Sequence, residues 1–403
     1  MSNFFISHYL KHSLRREISE LYVSIAIKNF AFSMIAIFEP VYIYKLYGSL
    51  SIVLLYYAVA YTLYFFLVPF GAKAAAKYGF EHCIFYSMPF AIIYFLILSQ
   101  IPNLWWLIFL APLLSTGYRI LFWPSYHTDF AHYSKSGYKG RELSALSFIS
   151  TIAMIIGPII GGIILTKFGF EVLFIIISIV SLISVVPLFT TKEKFIPHKF
   201  SYRKAVRRFL KPYGCYKRKD SLAYFGYGEE LIAMTIWPIF IFLVVKKFYL
   251  MGILASIVVV LVSVIALYVG KLVDILGRKE KKKLLNYSVI LLSASWFLRP
   301  FALNWLSVLL IDIFSKGSKT GVVYPLYTFI YSAGGDNNGF LKYVIFYEMS
   351  LTTGKMLIAW VMFFMSLFLT GSTFWFCAFS ITGLWSLFFL FKFSNLQWRS
   401  SSQ

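Results

Sequence analysis

The sequence predicts an all-α integral membrane protein of about twelve transmembrane helices, arranged as two pseudo-symmetric six-helix bundles. Three observations point to it: the composition, the placement of charge along the chain, and an internal repeat of proline and glycine positions. Of the 403 residues, 60% are hydrophobic and 13% charged, where a soluble domain carries about 25% charged residues. Mean hydropathy is +0.75. A helix needs roughly 20 apolar residues to cross the hydrocarbon core, so a chain of this length with short connections holds about twelve crossings. They are read at residues 20–46, 50–72, 82–101, 103–125, 142–166, 170–190, 221–245, 249–273, 284–303, 305–332, 340–370 and 372–393. The first run follows Lys11, Arg15, Arg16, Glu17 and Glu20 and is too long for a cleavable signal, so it reads as a retained anchor.

One long polar stretch, residues 191–220, interrupts the apolar pattern and carries eleven Lys and Arg, from Lys192 to Lys219. It reads as a basic cytoplasmic linker between an N-terminal bundle, residues 1–190, and a C-terminal bundle, residues 221–403. With the N-terminus placed in the cytoplasm, 28 of the 38 Lys and Arg fall in cytoplasmic segments, while the outer loops hold only Lys45, Lys167, Lys246 and Lys247. That bias orients a multi-pass protein of the inner or plasma membrane with both termini in the cytoplasm. It also accounts for the net charge of +22 without a nucleic-acid partner. Cys83, Cys215 and Cys377 lie far apart without metal-ligand spacing, so neither a disulfide framework, a metal site nor a cofactor is expected.

The halves resemble each other. In the first span Glu39-Pro40 precedes Gly71 by 32 residues, and in the seventh Trp237-Pro238 precedes Gly270 by 33. Trp123-Pro124 in the fourth span is answered by Tyr324-Pro325 in the tenth. Paired prolines at equivalent spans are the mark of a transporter built from repeated bundles.

After the eighth span stands Gly270-Lys-Leu-Val-Asp274-Ile-Leu-Gly277-Arg278-Lys279. This stretch resembles the loop signature of the major facilitator superfamily, whose glycines permit a tight turn and whose Asp and basic residues latch the cytoplasmic face. The equivalent stretch after the second span, Gly71 to Gly79, has Ala75 where the signature has aspartate. In the fifth span Gly157-Pro158-Ile-Ile-Gly161-Gly162 is similar to a motif of that family's antiporters. Ala153, Gly157 and Gly161 recur every four residues, so they line one helix face and serve close packing equally well. The resemblance implies a monomeric secondary transporter that moves a small molecule by alternating access, with export by exchange against protons suggested by the fifth-span motif.

A charge at membrane depth costs at least about 2.5 to 3.5 kcal/mol, so each asks for a reason. Eleven are found: Lys28, Glu39, Arg119, Glu229, Glu230, Arg299, Asp312, Lys316, Lys319, Glu348 and Lys355. Eight of these eleven fall on the first, fourth, seventh and tenth spans, which line the central cavity in the fold that the resemblance implies. Glu39, followed by a proline that loosens its turn, is the first proton-coupling candidate and Glu230 the second. Lys28, Arg119, Trp237, Lys319, Tyr324 and Lys355 are candidates for the solute cavity. Lys28 and Glu39, eleven residues or three helical turns apart, are expected to share one face about 16 Å apart along the axis, so that both can face the cavity without pairing. Asp312 and Lys316, spaced i, i+4, are expected to neutralise each other, and Glu348 with Lys355 to brace the cavity wall.

Two other functions compete. A membrane-embedded transferase would use a cluster such as His127-Thr-Asp129 with His132, which is short and has no metal motif. A lipid flippase of the same fold would favour a more apolar cavity than these charges allow. The chain is therefore expected not to be an enzyme. Six cations and five acids nearly cancel, so the charge of the substrate does not follow.

Overall fold

The fold, taken from a computed structural model, is described for residues 16–134, 140–189, 200–213, 216–332 and 337–391. Lys192, Lys194, Lys199 and Cys215 lie outside the described residues, as do the side chains of His132 and Arg278. The helices in order are α1 (Arg16–Ser33), α2 (Glu39–Tyr47), α3 (Leu50–Tyr78), α4 (Phe80–Gln100), α5 (Leu107–Ser134), α6 (Gly140–Val185), α7 (Tyr202–Leu210), α8 (Arg218–Phe225), α9 (Gly228–Met234), α10 (Ile236–Val245), α11 (Phe248–Ile275), α12 (Arg278–Leu298), α13 (Trp305–Ser332), α14 (Asn337–Phe368) and α15 (Gly371–Ser386). By length and apolar composition, eight helical stretches of the described residues can cross a membrane. One of them, Ser150–Val185 in α6, covers most of the fifth and sixth predicted segments, parted at Gly169 by a φ of 82° that only glycine adopts without strain. The first, ninth and tenth predicted segments fall on α1 with α2, α12 and α13, which carry charges, so length and composition alone do not complete the count of twelve.

The prolines of the repeat interrupt the helices that hold them. Pro40 lacks a backbone N–H and cannot continue a helix from within it. The first span accordingly stops at Ser33, turns through Met34 to Phe38, and restarts at Glu39. The continuous helix expected there does not form, so the eleven-residue spacing no longer places Lys28 and Glu39 on one face. The seventh span breaks twice, after Phe225 and at Thr235, ahead of Pro238. The carbonyl of Phe225, freed by the first break, accepts a hydrogen bond from Trp385 Nε1 at 2.8 Å. Gly48 and Lys246 end the two proline-bearing spans in the same left-handed conformation, with φ of 64° and 59°. The tight turn that follows each is thus repeated as well as the helices.

Packing repeats too. In the first half α1 packs on α6, α3 on α5, and α4 on both α5 and α6; in the second, α8 and α9 pack on α14, α11 on α13, and α12 on both α13 and α15. Two antiparallel seams join the halves, α3 with α14 and α6 with α11. Gly157 and Gly161 bring α6 against Ser33 and Met34, and a Cβ on either would collide with them. On the adjoining face Gly162 meets the backbone of Phe248, and Gly252 meets the carbonyl of Pro158. Ser256 Oγ donates to the Ile155 carbonyl at 2.5 Å one turn further on. Backbones approach this closely only where side chains are absent. Gly252→Val is expected to force α6 from α11 at a cost of about 1–3 kcal/mol, read as a lower melting temperature of the purified protein; an unchanged one would refute the close approach.

Candidate functional site

Tyr57, Tyr61 and Tyr64 follow one another at helical spacing along α3 and are buried. Each meets a charge. The Tyr57 hydroxyl donates to Glu39 Oε1 at 2.9 Å, where Glu39 opens α2 beside the break. The Tyr61 ring receives two cations, the Arg119 guanidinium of α5 at 5.1 Å and the Lys355 ammonium of α14 at 5.7 Å from its centroid. The Tyr64 hydroxyl donates to Glu348 Oε2 of α14 at 2.8 Å, and His127 Nε2 of α5 stands 3.5 Å from the other carboxylate oxygen. Lys355 also pairs with Glu230 Oε2 of α9 at 3.2 Å. That reach depends on Gly354, which lies directly against the backbone of Phe225 and brings α14 onto the seventh span.

Adjacent positions on a helix point about 100° apart, and Glu229 and Glu230 show it. Glu230 faces Lys355, whereas Glu229 turns into the second half, where it pairs with Lys319 and accepts from Trp296 Nε1 at 3.2 Å. Lys319 therefore lies against Tyr227 and Phe389 and not against the tyrosine stripe. Deeper in that half Trp237 Nε1 donates to Asp312 Oδ1 at 3.1 Å, and Asp312 takes Lys316 at 2.8 Å, as its i, i+4 spacing predicts. The Arg299 guanidinium, only 1% exposed, is sandwiched between Trp296 and Trp237 at 3.4 and 4.4 Å from their ring centroids and donates to Ser315 Oγ at 2.9 Å. A small cleft opens beside this network. Trp237, Met251, Val258, Asp312 and Lys316 line it from the second half, and Ile37 closes it from the first.

The remaining candidates are dispersed. Lys28 is buried within the first half, 3.9 Å from the Phe122 centroid and 5.4 Å from that of Phe32. Tyr324 lies beside Gly270, its ring 3.5 Å from where a Cβ would stand. Asp274 is exposed and makes no ion pair among the described residues. Pro158 and its glycines are occupied in packing. Sequence reasoning did not single out Tyr64, although its three-residue step from Tyr61 continues the stripe. It noted His127 only within a transferase cluster, and no group of residues able to hold a metal ion occurs among the described residues.

Removing one member of a buried ion pair strands the other at about 3–5 kcal/mol, while replacing both is far milder. Lys319→Met is expected to lose about 3 kcal/mol of stability, and the double variant with Glu229→Gln to recover most of it. Equal melting temperatures for single and double variants would place Lys319 outside such a pair.

A search of curated proteins returns no match. Among solved structures, the chain is similar to the nucleoside transporter NupG, at 14% identity and a TM-score of 0.68, with 93% of this chain and 98% of that one covered. It is also similar to the human organic anion transporter MFSD10 (TETRAN), at 14% identity and a TM-score of 0.64, with 93% and 97% covered. Such identities speak for the fold, and the repeated bundles described above agree with it. The model of the Major Facilitator Superfamily matches residues 21–341, most of the sequence, and the chain belongs to that family of membrane transporters.

Proposed function

We propose that the chain exchanges a small organic solute for protons by alternating access, with the solute held where the tyrosine stripe of α3 meets Arg119 and Lys355. The observation that carries this reading is Tyr61, a single ring approached by a cation from each half. A solute seated there touches both halves at once, and only binding that differs between two arrangements of the halves can drive a cycle. Arg119 Nη1 is buried and has no hydrogen-bond partner among the described residues. It is a ready donor for a carboxylate, phosphate or hydroxyl group of the solute. Trp237 and the apolar side chains of the neighbouring cleft stand ready to contact an apolar portion. The two similar structures are a nucleoside transporter and an organic anion transporter, so the fold selects neither solute.

Of the two coupling candidates, the surroundings favour Glu39. Glu230 is held by an ammonium group, whereas Glu39 faces the neutral hydroxyl of Tyr57 beside an interrupted helix. We infer that Asp274 and Arg278, with Gly270 and Gly277, latch the linker end of the bundles when it closes. In this reading the bundles are residues 1–190 and 221–403, the basic stretch 191–220 and both termini face the cytoplasm, and the monomer works in the cell membrane. The charged lining counts against a lipid substrate.

A thermal-shift screen of purified protein against small metabolites and drugs is expected to find a stabilising solute, worth about 2.7 kcal/mol at a hundred times its Kd. Arg119→Gln is expected to weaken that stabilisation, with a roughly tenfold or greater loss of affinity for one charge-assisted hydrogen bond. In proteoliposomes, Glu39→Gln is expected to abolish flux driven by a pH gradient while solute counterflow persists. Undiminished gradient-driven flux would remove Glu39 from the coupling step.

A further inference from the structure

The triad of Tyr64, His127 and Glu348 is left over from the solute site and has a distinct character. Among the described acids at membrane depth, Glu229, Glu230 and Asp312 each hold a lysine and Glu39 faces a tyrosine. Glu348, 3% exposed, is the one held by residues of the opposite half alone, a phenol from α3 and an imidazole from α5. We propose that Glu348 and His127 form a proton-binding site that locks the two halves together, separate from the carboxylate that couples transport. The inference rests on the alternating-access reading given above.

The geometry supplies the mechanism. With one proton shared by the pair, the carboxylate is charged, accepts from Tyr64 Oη and attracts His127, so α14 is tied to α3 and α5. A second proton, taken up from water at the linker end, discharges the carboxylate and leaves an imidazolium facing a neutral acid. The attraction across the seam is then lost, and the halves part there. The other groups around Glu348 do not duplicate it. Lys355, two turns along α14, and Glu230 of α9 act on it through space but pair with each other. On its own helix Tyr347 stacks edge-on against His127. Tyr224 of α8 and Tyr227, just before α9, pack against Tyr347, and Tyr327 of α13 lies within electrostatic reach. From α5, Arg119 acts on the Tyr64 hydroxyl, and the buried Asp129 lies two residues beyond His127. Neither α7 nor α15 presents a described ionisable contact to it.

The test uses full-length protein in nanodiscs, without solute, with spin labels at Lys77 and Lys279, both exposed and one in each half. Distances are measured between about pH 4 and pH 8, a window wide enough for a buried carboxylate to take up its proton beside an imidazolium. In the parent protein the separated population is expected to rise roughly tenfold toward acid, the factor set by one charge-assisted hydrogen bond. Glu348→Gln is expected to stay separated at every pH. His127→Gln is expected to shift the midpoint, and Tyr64→Phe to raise the separated population at neutral pH while keeping its pH dependence. A parent distance that ignores pH, or a Glu348→Gln protein that responds as the parent does, overturns the proposal. Since no solute is present, failure here leaves the flux measurements to judge the transport reading on its own. Should Glu348→Gln not fold, the parent titration and the other two variants decide: a parent response unaffected by either also overturns it.

Discussion

A charge withdrawn from water costs several kcal/mol unless a partner is held against it, and this constraint sorts the ionisable residues of the chain into two groups. One group is answered within a half. Glu229 with Lys319, Asp312 with Lys316, Arg299 between two tryptophans and Lys28 over Phe122 each find their partner inside one bundle. The other group is answered at the seam: Lys355 by Glu230 and the Tyr61 ring, Glu348 by Tyr64 and His127. Charges of the first kind stiffen a bundle, because their partners travel with them. Those of the second kind lose a partner when the bundles move apart, which makes them the natural carriers of a cycle that opens and closes the molecule.

The architecture was legible because its causes are local. Hydropathy marks a crossing wherever it occurs, and a proline lacks its N–H whatever surrounds it, so the breaks near Glu39 and Thr235 coincide with the repeat seen in the sequence. Which way a charge points was not legible, because the rotation of a helix about its axis is set by neighbours far away in sequence. Glu229 and Glu230 are chemically identical, and only the close approach of Gly354 to Phe225 decides that the second meets Lys355. The same reasoning explains Lys319, which the sequence grouped with the solute cavity and the fold pairs with Glu229 inside the second half. Tyr64 went unremarked for the opposite reason. A tyrosine among so many aromatics carries no signal until the carboxylate it serves is known.

The glycine-rich face of α6 shows how one sequence pattern meets two demands. Spacing by four residues creates a smooth groove, and the groove accepts the broken segment at Met34 on one side and α11 on the other. Pro158 removes one backbone hydrogen bond from inside that helix, and Gly252 of α11 lies against the Pro158 carbonyl. Packing alone therefore accounts for each of these small residues. A direction of transport read from the same motif needs support from elsewhere.

The two seams between the halves are built from different materials, and the difference has mechanical meaning. Where α6 meets α11, glycines lie against backbone and Ser256 donates to the Ile155 carbonyl, and no ion pair joins the two helices among the described residues. Where α3 meets α14, polar contacts run the length of the helices, from Ser51 with Ser366 at the turn end, through Thr62 with Trp360, to Tyr64 with Glu348. Backbone packing is insensitive to pH and yields by sliding or separating as a unit. A polar ladder yields rung by rung, and its strength is set by the rung that carries charge. A rocking motion that spreads the linker end thus works against the charged rungs, Lys355 over the Tyr61 ring and Glu348 with Tyr64, and in the proposed lock it is at Glu348, not at the glycine seam, that a proton changes the balance between the two arrangements.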